Sequence, residues 1–570
     1  MSSSYFISSR LLVAAFTVAF ASNLVQVESF TGGCGISPHR WHHVIVALLG
    51  VGLFVSFLSL FGSTNRYGEN VLVGTLATLY LSSSYMIYGS EMLTTDRFLI
   101  EVAIIWVLPL DAASSCRFLL ARVLFSAAVG KLSICGTSWL GAASIAVDSL
   151  NQPFPFTPVW HLAQLPGRLT HVISVLVFSS ELLTSLLLTF TKSAGCLWVA
   201  ICLTGFYAII GNFNWVLLVM AACIARCLPD DIVTLIVGQT TLERWGFVRT
   251  IKSDESQAEA TTLMSLREGM LVSVLIWITV GALLSAPTIV ERSFKSVTYI
   301  LAVLILIAAL LRTSGGVTSR AFILLVSFLT SSVYRESVTG GMLRHADDFS
   351  GVPSCFVFPA GGLGKAVHSA DSRAGYLIQT KYAVMGTNTV GSDLGGTRYA
   401  ELSLSGSVHG DETRPPFLLG HLPRHALRVW RIGTGTPEDV EAGLRLLRTL
   451  EQMVETGSNA VRVFFPGAAD FVLDAIVGKR NQVQAFYQPY KVTSRVADHQ
   501  WWKRNYDEVA ALPTKDVVPY PVVRECDILV PQKLFGTTLD LILLSSIVCA
   551  AILKLLFGTR NTRSGARKHK

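Results

Sequence analysis

Apolar stretches recur through the first 334 residues, near 11–26, 42–61, 71–88, 98–110, 118–134, 171–190, 195–210, 215–228, 270–286, 297–311 and 321–334, and once more at 535–557. A helix needs roughly 20 mostly apolar residues to cross a hydrocarbon core about 30 Å thick. The recurrence therefore predicts a polytopic α-helical membrane protein of about 12 spans, although a stretch of about 13 residues also fits a re-entrant or interfacial helix. Composition agrees. The 570 residues are 51% hydrophobic and only 15% charged, which is too apolar for a protein whose whole surface meets water.

Between about residue 336 and residue 533 the pattern stops: charge rises, Gly and Pro punctuate short runs, and no stretch is long enough to span. The expected organisation is a multi-span region at 1–335, a soluble domain at 336–533, a C-terminal anchor at 534–557 and a basic tail at 558–570. At roughly 200 residues the soluble domain can hold its own core. The multi-span region holds about 11 helices, a proline-rich loop at 135–170 and a polar loop at 229–268. With the N-terminus in the cytosol, about 15 basic residues face inward, among them Arg10, Arg117, Arg244 and the tail, against about 5 in the short loops opposite. That bias puts both termini and loop 229–268 in the cytosol, and loop 135–170 and the soluble domain in the lumen or outside. The formal net charge of +8 belongs to this topology and gives no reason to expect nucleic acid. Arg10 before the first stretch also fits a cleaved signal peptide, but the residues that follow argue for retention.

Charges inside spans are expensive, so each needs a partner or a task. Glu181 lies mid-span in HVISVLVFSSELLTSLLLTF, Asp96 and Glu101 open TTDRFLIEVAIIW, and Arg122 and Lys131 lie in FLLARVLFSAAVGKL. Arg122 is expected to pair with Glu101 or Glu181, and Lys131 to snorkel toward the lumenal end. A structural ion-pair network explains these residues better than a relay, since they form no regular series.

In the soluble region TRYAELSLSG and VQAFYQPYKV alternate like half-buried strands, and PEDVEAGLRLLRTLEQMV predicts a helix from Pro437 through Val454 with Gly457 beyond its end. The mixture implies a β-rich or α+β domain. Its chemistry is sparse. There is no GxSxG elbow, the GGLGKAVHS turn lacks P-loop spacing, and His409, Asp411 and His421 have no marked nucleophile beside them. No catalytic residue, cofactor or metal site is assigned, because the ten cysteines form no CxxC and no metal-ligand set. Cys355 and Cys526 bracket the domain. A bridge between them closes a loop of roughly 170 residues, for which chain entropy gives about 4–5 kcal/mol; the alternative is two buried thiols.

Several segments, in order, resemble the lipase maturation factor family of endoplasmic-reticulum membrane proteins. AFASNLVQVESFTGGCGISP is similar to the family's first span, a glutamine and a Gly-rich turn ending in proline, which is the reason to retain the first helix. YLSSSYMIYGSEMLTTDRFLIE carries Asp96 and Glu101 at the family's positions, with Thr95 where the family has tryptophan. LARVLFSAAVGKL, then Trp139, then QPFPFTPVWHLAQLP follow the family's most recognisable block; Gln152, Pro153, Thr157, Pro158 and Trp160 match it, while AVDSLN replaces an aromatic-histidine cluster. Glu181 falls at a mid-span glutamate, and Gly211, Asn212, Asp230 and Asp231 resemble a Gly-Asn turn and a terminal acidic pair. KYAVMGTNTV and RYAELSLSGS resemble an opening strand pair of the soluble domain, and FYQPYKVTSRVADHQWWKRNY its closing strand with Trp501 and Trp502. RPPFLLGHLPRHALRVWRI corresponds to a proline-containing turn and aromatic helix.

The resemblance implies a non-enzymatic factor of the endoplasmic-reticulum membrane that assists folding, assembly or export of client lipases or other secretory proteins. Lipid and client proteins are then its partners, and the lumenal domain with loop 135–170 forms the client-facing side. Arg567 and Lys568, near the end of the tail, resemble a cytosolic dilysine-type retrieval signal. Two other classes compete: a membrane enzyme with a carboxylase-like bundle, in which Arg122, Lys131 and Glu181 are catalytic, and a transporter, disfavoured because no inverted repeat is visible.

Overall fold

The computed structural model describes residues 2–33, 35–36, 39–60, 66–88, 94–108, 110–135, 158, 161–162, 164–191, 193–210, 215–238, 267–280, 304–311, 316–329, 372–382, 398–402, 424–425, 437–458, 464, 483–492, 502–504, 510–511 and 518–519. Helix dominates them. In chain order the helices are α1 (Ser3–Thr31), α2 (His42–Ser59), α3 (Arg66–Tyr88), α4 (Thr94–Val107), α5 (Ala112–Cys135), α6 (Gly167–Phe190), α7 (Gly195–Ile210), α8 (Val216–Cys227) and α9 (Asp230–Val237). Helical residues 267–280 and 304–311 follow, then α10 (Gly316–Leu329) and α11 (Pro437–Thr456).

α1 is the axis of the bundle. Its 29 residues are buried on nearly every side, as expected of a helix enclosed by others, and it packs against α2, α3 and α8. Its many hydroxyls return to the helix's own carbonyls, Ser8 to Tyr5 at 2.9 Å and Thr17 to Val13 at 3.0 Å, so they cost little when buried. An aromatic cluster fills the middle: Tyr80 of α3 meets Phe20 edge-on at 5.4 Å, Phe16 at 6.0 Å and Trp215 at 6.4 Å. Gly52 of α2 admits that cluster, since a Cβ there would fall among the ring atoms of Phe20.

The outer helices are apolar on their outward faces as well as their buried ones. α2 buries His42, Ile45, Leu49, Gly52 and Ser56 while exposing Val44, Val51, Phe54 and Leu58. The helix at 267–280 buries Gly269, Val272, Ile276 and Val280 at helical spacing and exposes Met270, Leu271, Val274, Leu275, Trp277 and Ile278. Large apolar side chains turned outward at this density suit a hydrocarbon solvent, where small and polar residues belong at helix contacts. One such contact joins Gly195 of α7 to Gly269. A Cβ on Gly195 would lie 2.5 Å from the backbone of Glu268 and Gly269, which has no rotamer to escape into. Gly195→Ala is therefore expected to cost about 1–3 kcal/mol, read as a lowered Tm of the purified protein; an unchanged Tm would mean that these helices do not meet there.

Four described helices are long and apolar enough to cross a bilayer: Ser3–Thr31, His42–Ser59, Tyr67–Tyr88 and Gly167–Phe190. The shorter apolar helices, Phe98–Val107, Gly195–Ile210, Val216–Cys227 and Gly316–Leu325, have 10–17 residues, which reach about 15–26 Å at helical rise and stop short of a core about 30 Å thick. The expected count of about 12 spans is corrected accordingly for the described residues. Hydropathy marks these segments as apolar, but length decides which can cross. The expected anchor at 534–557 and tail at 558–570 lie outside the described residues, as does most of loop 135–170 and of loop 229–268.

Among the described residues strands are confined to 372–511: β1 (Ser372–Tyr382), β2 (Arg398–Leu402), β3 (Val483–Val492), β4 (Trp502–Arg504) and β5 (Ala510–Ala511). They form an antiparallel sheet in the order β2-β1-β3-β4, with β5 also on β3, and β1 is in register with β3 from Ser372 opposite Lys491 to Thr380 opposite Val483. The alternating segments read as strands correspond to β2 and β3. The expected helix runs Pro437–Thr456; it buries Leu446, Leu447, Leu450, Met453 and Val454 and stops at Gly457, whose φ of 76° suits glycine at a helix C-terminus. Among the described residues of 336–533 these strands stand beside the 20-residue helix α11, so the expectation of a β-rich domain is corrected to one that mixes helix and strand.

Candidate functional site

The two ends of the bundle carry separate polar clusters. One end gathers the start of α1, the end of α2, the start of α3 and residues 226–234; the other gathers the end of α1, the end of α3 and the start of α4. α1 separates Arg10 from Asn23 by about 20 Å at 1.5 Å per residue.

At the Thr31 end, Asp96 sits in the first turn of α4 and is fully buried. An ionised carboxylate there needs a cation and donors. Tyr80 of α3 donates its O–H to Asp96 Oδ1 at 2.6 Å. The cation arrives from 328 positions further along the chain: Arg424 Nη2 lies 3.0 Å from Oδ1 and 2.9 Å from Oδ2. The guanidinium carbon also stands 3.8 Å from the centroid of the Tyr88 ring, a cation–π contact. Burial pulls the Arg424 pKa down, but the Asp96 carboxylate, helped by Tyr88 and Tyr80, outweighs it and holds the group above its ordinary value. Arg424 therefore stays charged.

The recess around it is built from α1 and α3. Asn23 accepts from the Tyr88 hydroxyl at 3.1 Å and, weakly, from Arg424 Nη2 at 3.5 Å, and donates to Ser84 at 3.2 Å. Gln26 Oε1 accepts the backbone N–H of Arg424 at 2.7 Å, while its own amide donates to the carbonyl of Ser22 at 2.8 Å. Next in sequence, His425 stacks on Phe30 with centroids 4.1 Å apart, places Nε2 at 2.9 Å from Ser29 Oγ, and meets Phe464 at 5.2 Å. Residues 424–425 are thus docked into the end of the bundle, on the side to which α1 points its C-terminus. On the other side of α1, His42 Nε2 lies 3.0 Å from Glu28 Oε2 and His42 Nδ1 lies 3.0 Å from Thr31 Oγ1.

At the opposite end Arg10 pairs with Glu69 at 2.8 Å, donates to the carbonyl of Ser59, and Ser9 also donates to Glu69. Asp230 caps α1 from outside, accepting from the backbone N–H of Ser4 at 2.8 Å and from Ser3 Oγ at 3.2 Å. A carboxylate at a helix N-terminus satisfies orphan amides and the helix dipole. Asp231 stands beside it in the first turn of α9.

The residues singled out from the sequence divide as follows. Asp96 is the centre of the docked network. Glu101 takes Arg122, one of the two expected partners, and Glu181 instead accepts a hydrogen bond from the Tyr207 hydroxyl. Asp230 and Asp231 do not join the Asp96 network. Pro158 is exposed, and Trp502 lies in β4 opposite Val492. Trp139, Gln152, Pro153, Thr157, Trp160, Gly211, Asn212, Cys355, Trp501, Cys526, Arg567 and Lys568 lie outside the described residues, as does the side chain of Lys131. Arg424, His425, Asn23, Gln26 and the Arg10–Glu69 pair were not among the expected site residues. The one available signal was Asp96 itself: a carboxylate at a helix start inside an apolar bundle demands a cation, but does not say which.

Apolar faces turned outward and buried charges matched inside define a helical membrane protein. No protein-family model, curated protein or solved structure matches the chain.

Proposed function

We propose that this chain is a factor of the endoplasmic-reticulum membrane that assists folding, assembly or export of client lipases or other secretory proteins, the role implied by its resemblance to the lipase maturation factor family. On this reading both termini are cytosolic and residues 336–533 form a lumenal α+β domain. The docking of Arg424 and His425 onto Asp96, Gln26 and Ser29 carries the reading. It ties the region after the spans to one end of the bundle, the arrangement a client-handling face held at a membrane requires. The buried acids Glu69 and Asp96 and the half-buried Glu101 are each engaged by an arginine, which fits structural work better than proton transfer.

The test is crosslink-assisted purification of the tagged full-length protein from secreting cells, with secretion measured after its deletion. Secretory proteins are expected to co-purify, and their secretion to fall. Co-purification of a lipid or small-molecule cofactor without clients, and with secretion unchanged, would replace this reading with that of a membrane enzyme.

A further inference from the structure

The Arg424 recess reads three things at once. Asp96 and the Tyr88 face take a guanidinium, Gln26 Oε1 takes a main-chain N–H, and Phe30 with Ser29 takes a ring on the next residue. These are the elements by which a protein recognises a peptide segment rather than a lone side chain. The present occupant uses them incompletely. A single nitrogen, Nη2, serves both Asp96 oxygens, and Nε makes no hydrogen bond among the described residues, so the two-armed fork that arginine offers a carboxylate is not formed. Leaving a guanidinium N–H buried without an acceptor weakens the hold.

We propose that the recess formed by Asn23, Gln26, Phe30, Tyr88 and Asp96 is a recognition site for an arginine-bearing peptide segment of a client, which Arg424 and His425 fill from within the chain until such a segment displaces them. The exchange leaves no charge stranded, because one guanidinium replaces another on Asp96. The internal occupant competes at the effective concentration of a tethered segment, which keeps the site closed to weak ligands. The proposal rests on the client-handling reading, but its test does not depend on that reading.

The probe is a fluorescent blocked dipeptide, acetyl-Arg-His-amide, titrated by polarisation against the full-length protein in lipid nanodiscs. Arg424→Gln, which takes the guanidinium off Asp96 and weakens the internal occupant, is expected to bind it about tenfold or more tightly than the wild type. The double variant Arg424→Gln with Asp96→Asn is expected to lose that gain, and acetyl-Lys-His-amide to bind about tenfold more weakly than the arginine probe. Equal binding by wild type and Arg424→Gln, or by the two dipeptides, overturns the proposal. A second measurement holds if the variant does not fold: millimolar probe added to the wild type is expected to increase hydrogen exchange at residues 424–425, and unchanged exchange counts against displacement. Failure of both measurements while clients still co-purify removes the recess alone; peptide binding without clients removes the maturation reading and leaves the site.

Discussion

Arg424→Met is expected to destabilise the protein by about 3–5 kcal/mol, because it strips the cation from a fully buried Asp96. Methionine keeps most of the length and apolar stem of arginine, so the loss reports charge rather than volume. Asp96→Leu, which strands the guanidinium instead, is expected to cost a similar amount. The double variant is expected to recover much of the loss, since a buried pair replaced by apolar groups is often neutral. Chemical unfolding of the detergent-solubilised protein, followed by tryptophan fluorescence, gives the cycle. A cost under about 0.5 kcal/mol for Arg424→Met, the range of a surface substitution, would show that residues 424–425 do not dock as described. The expected loss measures the stranded carboxylate, not the net worth of the pair, so it is compatible with like-for-like exchange at the site.

How much of this was legible depended on how far a residue's partner lies along the chain. The Arg122–Glu101 pair was readable because the two sit on adjacent helices, 21 positions apart. β2, β3 and α11 were readable because alternation, a helical stripe and a terminal glycine are local signals. Arg424 was not: it is one of 46 basic residues, separated from Asp96 by 328 positions, and only the folded chain selects it. Glu181 shows a different blind spot. A search for its partner among cations misses the Tyr207 hydroxyl, a neutral donor that looks like any other aromatic in an apolar helix. Span counting was limited by length, since hydropathy alone does not separate a 12-residue apolar helix such as α8 from one that crosses.

The second large effect is expected at the other end of the bundle. Arg10 and Glu69 both sit at the edges of apolar stretches, where a reader of the sequence takes them for charges facing solvent at a membrane boundary. α3 in fact begins at Arg66, earlier than its apolar stretch, and so carries Glu69 inward; Arg10 is only 6% exposed and Glu69 is 0% exposed. Arg10 is therefore tied into the bundle rather than facing solvent at a membrane boundary. Removing either partner leaves the other charge buried, and Arg10→Ala and Glu69→Ala are each expected to cost about 3–5 kcal/mol. Because Ser9 and the carbonyl of Ser59 also engage the pair, the double variant should show a coupling of about 0.5–3 kcal/mol rather than simple addition. The Asp96 site is about 20 Å away along α1, so Arg10→Ala and Arg424→Met are expected to add within about 0.5 kcal/mol. Strong coupling between them, measured in the same unfolding assay, would mean that α1 transmits between its ends, and the bundle would then have to be treated as one switch rather than two independent clamps.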